Sequence, residues 1–139
     1  GELPDPGALP VRRVPGEKLS FGMPIARGAL GKCWGIGLNY EEHAGDLGEA
    51  RPEEPASFMK PRTAVTGPGG PIRLPPREET ERVTAEGELA VLLGRTAGNV
   101  DDPDEVIAGY LPVIDMTAED VLERNPRFLT RAKSFDTFL

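Results

Sequence analysis

The longest stretch in which apolar positions organise the chain is Val83 to Arg95, Val-Thr-Ala-Glu-Gly-Glu-Leu-Ala-Val-Leu-Leu-Gly-Arg. Alternate side chains of an extended chain point to one face, so Glu86, Glu88, Ala90 and Leu92 share a side and Leu89, Val91 and Leu93 take the other. Both sides turn apolar after Glu88, which predicts a strand buried on two faces and entered through a pair of carboxylates. Two adjacent anions at the mouth of a core call for a cation. An acidic strand end standing in solvent is the competing reading.

Tyr110 to Met116 (Tyr-Leu-Pro-Val-Ile-Asp-Met) predicts a second apolar strand with Asp115 at its C-terminal end, followed by a Thr117-capped helix over Ala118 to Arg124. Between the two strands, Asp102-Pro-Asp-Glu105 carries a cap, a first-turn proline and an acid three after the cap, and so predicts a helix that Gly109 closes. Earlier, Lys32 to Leu38 reads as a strand with close backbone approaches at Gly35 and Gly37, and Ser57 to Lys60 as a short strand stopped by Pro61. Thr63 to Thr66 and Pro71 to Leu74 flank Gly67-Pro-Gly-Gly70 and predict a hairpin. Arg131 to Leu139 reads as a strand in which the sequence stops, so a truncated chain is expected. Residues 1–31 are proline-rich and aperiodic, which predicts an extended N-terminal arm with a short strand at Val11 to Val14. The fold class expected is mainly β with a few short helices.

With 139 residues the chain fits one domain of common size. Its 17 Gly and 15 Pro suit many turns and argue against a helical bundle. A net charge of −7 would repel a phosphate backbone and anionic lipid, so neither nucleic acid nor membrane is an expected partner. No apolar run approaches the roughly 20 residues of a membrane span, and the N-terminus lacks the pattern of a signal peptide, so a cytoplasmic enzyme or binding protein is expected. Cys33 and His43 are the only residues of their kinds. No internal disulfide and no Cys/His zinc site can form, and any metal must be a hard, oxygen-bound one.

Two patterns carry candidate chemistry. Asn39 can cap a short helix through Leu47, stopped by Gly48, which sets His43 and Asp46 one turn apart. A carboxylate there orients the imidazole and raises its basicity, as a general base requires; an ordinary exposed helical His is the plainer alternative. The glycines at 35/37 and within 67–70 lack the residues and the helix that would make a nucleotide or phosphate loop, and are read as a strand contact and a turn.

Five segments taken together, Gly37-Leu-Asn-Tyr-x-x-His43, Phe58-Met-Lys-Pro61, Glu86-x-Glu88-Leu-Ala-Val, Ile114-Asp-Met-Thr-Ala118 and Ala132-Lys-Ser-Phe-Asp136, resemble the fumarylacetoacetate hydrolase family in its motif order across residues 32–139. The resemblance implies a rolled, mixed or antiparallel β-barrel, of which residues 32–139 form the first part. It also implies a divalent ion, Mg2+ or in its place Mn2+ or Ca2+, held by Glu86, Glu88 and Asp115. His43 with Asp46 would supply the base from a lid-like segment, Lys60 and Lys133 would bind the substrate, Lys133 would act in catalysis, and the protein would be a homodimer. Three positions depart from the family pattern: Asp46 stands where Glu is common, Glu119 where Arg is common, and Leu122 near an expected Gln.

The function this implies is metal-dependent cleavage of a C–C bond in a 2-oxo acid of the acylpyruvate or fumarylpyruvate type, through a metal-stabilised enolate. The alternatives are an oxaloacetate-type decarboxylase or a 2-hydroxyhepta-2,4-diene-1,7-dioate-type isomerase, toward which Asp46 tilts the reading, and a non-catalytic metal-binding protein. The last has no use for His43 or Lys133.

Overall fold

A computed structural model of the chain describes residues 15–26, 28–40 and 54–139. The chain divides into two compact units, one of Gly1–Phe21 with Gly87–Ile114 and the other of Gly22–Glu86 with Asp115–Leu139. Four strands are described: β1 Cys33–Gly37, β2 Ala56–Lys60, β3 Val83–Leu93 and β4 Ile107–Ala118. Two short helices follow β4, α1 Glu119–Arg124 and α2 Leu129–Lys133, and four single turns of 3-10 helix are spread along the described residues. The mainly β reading with short helices holds. Among the described residues, however, the strands form two separate two-stranded sheets, β1 with β2 and β3 with β4, and no closed barrel.

In the first unit, the hairpin of β3 and β4 closes where Gly94 N–H donates to the Val106 carbonyl at 2.9 Å. A Cβ at Gly94 would press on that of Ala108 at 3.0 Å, so the glycine permits the close turn-in. The expected helix after Asp102 is one 3-10 turn, Pro103–Val106, capped as its sequence foretells by Asp102 accepting from Asp104 N–H at 3.0 Å. It goes no further because Val106 and Ile107 lead directly into β4, and Gly109 lies within that strand instead of ending a helix. Along β3 the alternation is real but one-sided. Ala90 and Leu92 are half-buried while Leu89, Val91 and Leu93 are exposed, so burial on both faces is not what the strand shows.

The second unit holds the core. β1 and β2 pair antiparallel with Cys33 opposite Lys60, Gly35 opposite Phe58 and Gly37 opposite Ala56. A Cβ at Gly35 would overlap the Phe58 ring, so this glycine is what allows the ring to lie across β1. At Gly37 the nearest atom is 3.8 Å away, and no such constraint exists. Met116, Ala118, Val121, Ala132 and Phe138 form the buried cluster, with Val83, Leu122 and Phe135 against it.

Two expectations fail in this unit. The hairpin around Gly67 is absent: Arg62–Ala64 is a 3-10 turn, and the backbone of residues 63–66 bonds instead to the end of the chain. Leu139 N–H donates to Ala64 O at 2.8 Å, Thr66 N–H to Leu139 O at 2.6 Å and Thr137 N–H to Thr63 O at 3.2 Å. Pro71, Pro75 and Pro76 offer no N–H, which makes that segment a poor ladder partner. The strand expected over Arg131 to Leu139 is likewise replaced. Residues through Lys133 finish α2, and only the last three residues run alongside a neighbouring segment. The strand expected at Val11 to Val14 lies outside the described residues.

Candidate active site

The last four residues of β4, Asp115 to Ala118, are all buried, which breaks the strand's alternation. Side-chain period explains the split: Met116 and Ala118 enter the apolar cluster, while Asp115 and Thr117 share the opposite face. That face receives polar groups from the ends of three other elements. Lys60 is the last residue of β2, Glu86 lies in the first part of β3, and Lys133 ends α2.

Lys133 is at the centre. Its Nζ donates to Asp115 Oδ2 at 2.9 Å, Glu86 Oε1 at 3.0 Å and Thr117 Oγ1 at 2.6 Å, and lies 5.2 Å from the centroid of the Phe58 ring. The Thr117 hydroxyl in turn donates a hydrogen bond to Glu86 Oε1. Every donor of the ammonium is therefore used, and the Phe58 face adds a cation–π contact. Lys60 forms an ion pair with the other oxygen of Asp115 and donates to three backbone carbonyls, Lys133 at 2.7 Å, Phe138 at 2.9 Å and Met116 at 3.3 Å. Relative exposure is 3% for Lys60, 7% for Asp115, 1% for Thr117 and 6% for Lys133, so these charges are held away from water.

The two lysines respond oppositely to that burial. For Lys60, burial is the largest influence and sets the ammonium below its ordinary pKa, against the pull of Asp115. For Lys133, burial pulls down just as it does for Lys60, but Asp115 and Glu86 together outweigh it and the pKa ends above the ordinary value. Burial likewise pushes up the thiol of Cys33, opposite Lys60 across the sheet, which leaves it a poor nucleophile.

Of the residues singled out in the sequence, the second unit thus brings together Glu86, Asp115, Lys60 and Lys133. Glu88 lies in the first unit. His43 and Asp46 lie outside the described residues. Thr117 was expected to cap the following helix; that helix has no side-chain cap, and Thr117 instead links Glu86 to Lys133. Its signal was present in the sequence, because Asp115-x-Thr117 on a strand shares one face. Glu119 and Asp120 anchor the start of α1 to the approach to β3, Glu119 accepting from Thr84 Oγ1 at 2.5 Å and Asp120 from Thr80 Oγ1 and from Glu81 N–H at 3.2 Å.

Among the described residues no three His, Cys, Asp or Glu side chains gather closely enough to hold a metal ion. Glu86, Asp115 and Thr117 nevertheless present carboxylate and hydroxyl oxygens to one cation, Lys133. Such hard donors suit a magnesium- or manganese-like ion rather than a soft one, so the donor chemistry fits the group that the family resemblance implies.

Comparison with known proteins identifies the family. Residues 32–139 match the family described as fumarylacetoacetate (FAA) hydrolase C-terminal. An uncharacterised protein of Archaeoglobus fulgidus is 45% identical over 109 residues, covering 77% of this chain and 42% of that protein. The mitochondrial oxaloacetate tautomerase fahd2 of Xenopus laevis is 35% identical over 106 residues, covering 74% of this chain and 33% of its own length. Among solved structures, 5-carboxymethyl-2-hydroxymuconate delta-isomerase from Mycobacterium smegmatis superposes with a TM-score of 0.63 at 38% identity, covering 77% of this chain and 42% of that one. The chain spans about half the length, or less, of the curated relatives it matches.

Proposed function

The chain belongs to the fumarylacetoacetate hydrolase family, and from that premise we propose that it interconverts the keto and enol forms, or shifts the double bond, of a small 2-oxo acid. Isomerase and tautomerase relatives support the reaction class. The observation that carries the proposal is the buried Lys133 ammonium gripped by Glu86, Asp115 and Thr117. Charges buried at this density cost folding stability, and a site that retains them is one where electrostatics serves chemistry.

Lys133 keeps its proton, since its pKa is raised. As an ammonium it would serve as a hydrogen-bond donor and a positive charge for the oxygen on which negative charge develops. Lys60 directs its donors at three carbonyls and Asp115, which assigns it to holding Asp115 in place more than to touching substrate. Glu86 and Asp115 would hold a divalent ion whose chemistry is to polarise the 2-oxo group as a Lewis acid. The reaction is balanced within the substrate: one proton leaves carbon as one is gained by oxygen, or the reverse. His43, oriented by Asp46, is the candidate to carry it.

A second reading is hydrolysis of an acylpyruvate to pyruvate and an acid, in which His43 would activate a water. Both readings share the enolate and differ in that water. The test is a panel of 2-oxo acids assayed with Mg2+ and with Mn2+, oxaloacetate ketonisation being followed by loss of enol absorbance and acylpyruvate cleavage by pyruvate release. Faster ketonisation that Lys133→Met reduces by about 100-fold or more supports the proposal. Pyruvate release without any effect on ketonisation moves the assignment to the hydrolase, and no acceleration of either reaction sinks both.

A further inference from the structure

Lys60 and Lys133 bring two positive charges to this cluster, and Glu86 and Asp115 bring two negative ones. These four charges sum to zero, and all but the partly exposed Glu86 are nearly closed to water. A dication placed on Glu86 and Asp115 would add two positive charges beside two ammonium groups in a setting of low effective dielectric, where like charges repel far more than in water. One ammonium has to give way. Lys60 is tied to three backbone carbonyls, those of Met116, Lys133 and Phe138, and these are separate from the carboxylates that would hold the ion. The hydrogen bonds of the Lys133 ammonium all go to side-chain oxygens, Glu86 Oε1, Asp115 Oδ2 and Thr117 Oγ1, the same atoms a hard cation would claim.

We propose that Lys133 is an internal competitor of the divalent cation. It clamps Glu86 and Asp115 together, leaves them when the cation arrives, and only then has donors to offer a substrate. The inference rests on the reading that Glu86 and Asp115 hold the ion. It extends that reading to a coupling: an anionic 2-oxo acid gives the displaced ammonium a new partner, so ion and substrate strengthen one another's binding.

Calorimetric titration of Mn2+ into the wild-type chain and into Lys133→Met, each alone and with excess pyruvate, tests the competition. Removing the competitor is expected to tighten Mn2+ binding at least ~10-fold without pyruvate, and pyruvate is expected to tighten it in the wild type and much less in the variant. Equal or weaker binding by Lys133→Met overturns the proposal while leaving the ion site itself standing. Binding by neither protein removes the ion site and the proposal with it.

Displacement itself is read on the wild type, whatever the folding of the variant. Acetylation by acetic anhydride, followed residue by residue in a mass spectrometer, is expected to speed up at Lys133 by at least ~10-fold on saturation with Mn2+, with Lys60 unchanged as the internal reference. A Lys133 rate indifferent to Mn2+ overturns the displacement.

Discussion

Asp115 shares its two oxygens between two lysines, and what else each lysine touches separates their roles. Lys60 joins β2 to the carbonyls of three other segments, so Lys60→Met would take one donor at once from Asp115 Oδ1 and from three buried carbonyls. The expected loss is about 3–5 kcal/mol, the scale for removing one partner of a buried pair, read from urea denaturation. Lys133→Gln should destabilise with a definite pH dependence. Because the folded pKa of Lys133 lies above the ordinary 10.5, the stability of its charged form is fully present below that value and is lost as pH rises through the folded pKa. The difference from wild type should then be flat between about pH 6 and 9 and shrink only at more alkaline pH. A difference that already shrinks near neutrality would show that the ammonium is not the favoured form. At this scale the sequence singled out four of the clustered residues, Glu86 and Asp115 as carboxylates at strand ends and Lys60 and Lys133 through the family resemblance. Thr117 was misassigned, since a Thr before a helix has two outlets for its hydroxyl, and only the packing of Glu86 and Lys133 beside it decides between them.

The elements were legible where side-chain alternation is local, and were missed where the backbone finds its partners far away in sequence. β1, β2 and β3 appear within a residue or two of their expected bounds. The segment at 63–66 has the composition of a hairpin arm, yet its partner is residues 137–139, some 70 positions on, and no local pattern encodes that choice. The one long-range contact that the sequence did announce is Gly35. Phe58 lies over it, and the same ring lies beneath the Lys133 ammonium, so a small residue in β1 sets the floor of the charged cluster. Gly35→Ala should therefore destabilise by about 1–3 kcal/mol through overpacking and should reduce activity along with it. Gly37→Ala, in the same strand with only ordinary contact at 3.8 Å, is the control. Thermal denaturation of the two variants decides between them, and equal losses would mean that strand propensity rather than the Phe58 contact is responsible.

At the scale of the whole molecule, the distribution of apolar surface has consequences of its own. In the first unit Leu89, Val91 and Leu93 on β3 and Tyr110 and Ile114 on β4 are exposed, although the sequence reading had placed the β3 residues inside. In the second unit Trp34 and Ile36 on β1 and Met59 on β2 are exposed as well. Periodicity alone cannot tell a face that packs within the chain from one that packs against something else, because both demand the same residues. Rows of exposed Leu, Val and Ile on a strand promote association, opposed here by the chain's net charge of −7. Screening that repulsion should let the apolar term win. The 139-residue chain is accordingly expected to associate as its concentration rises, and to do so more readily at 0.5 M salt than at low salt, as read by multi-angle light scattering. Leu89→Lys combined with Val91→Lys places charge on that face of β3 and should shift the population toward the monomer, whereas the same pair of lysines at the exposed polar positions Glu78 and Glu81 should not. A chain that stays monomeric at all concentrations and both salt levels, or a double variant indistinguishable from wild type, would mean that these residues are satisfied by water and take no part in assembly.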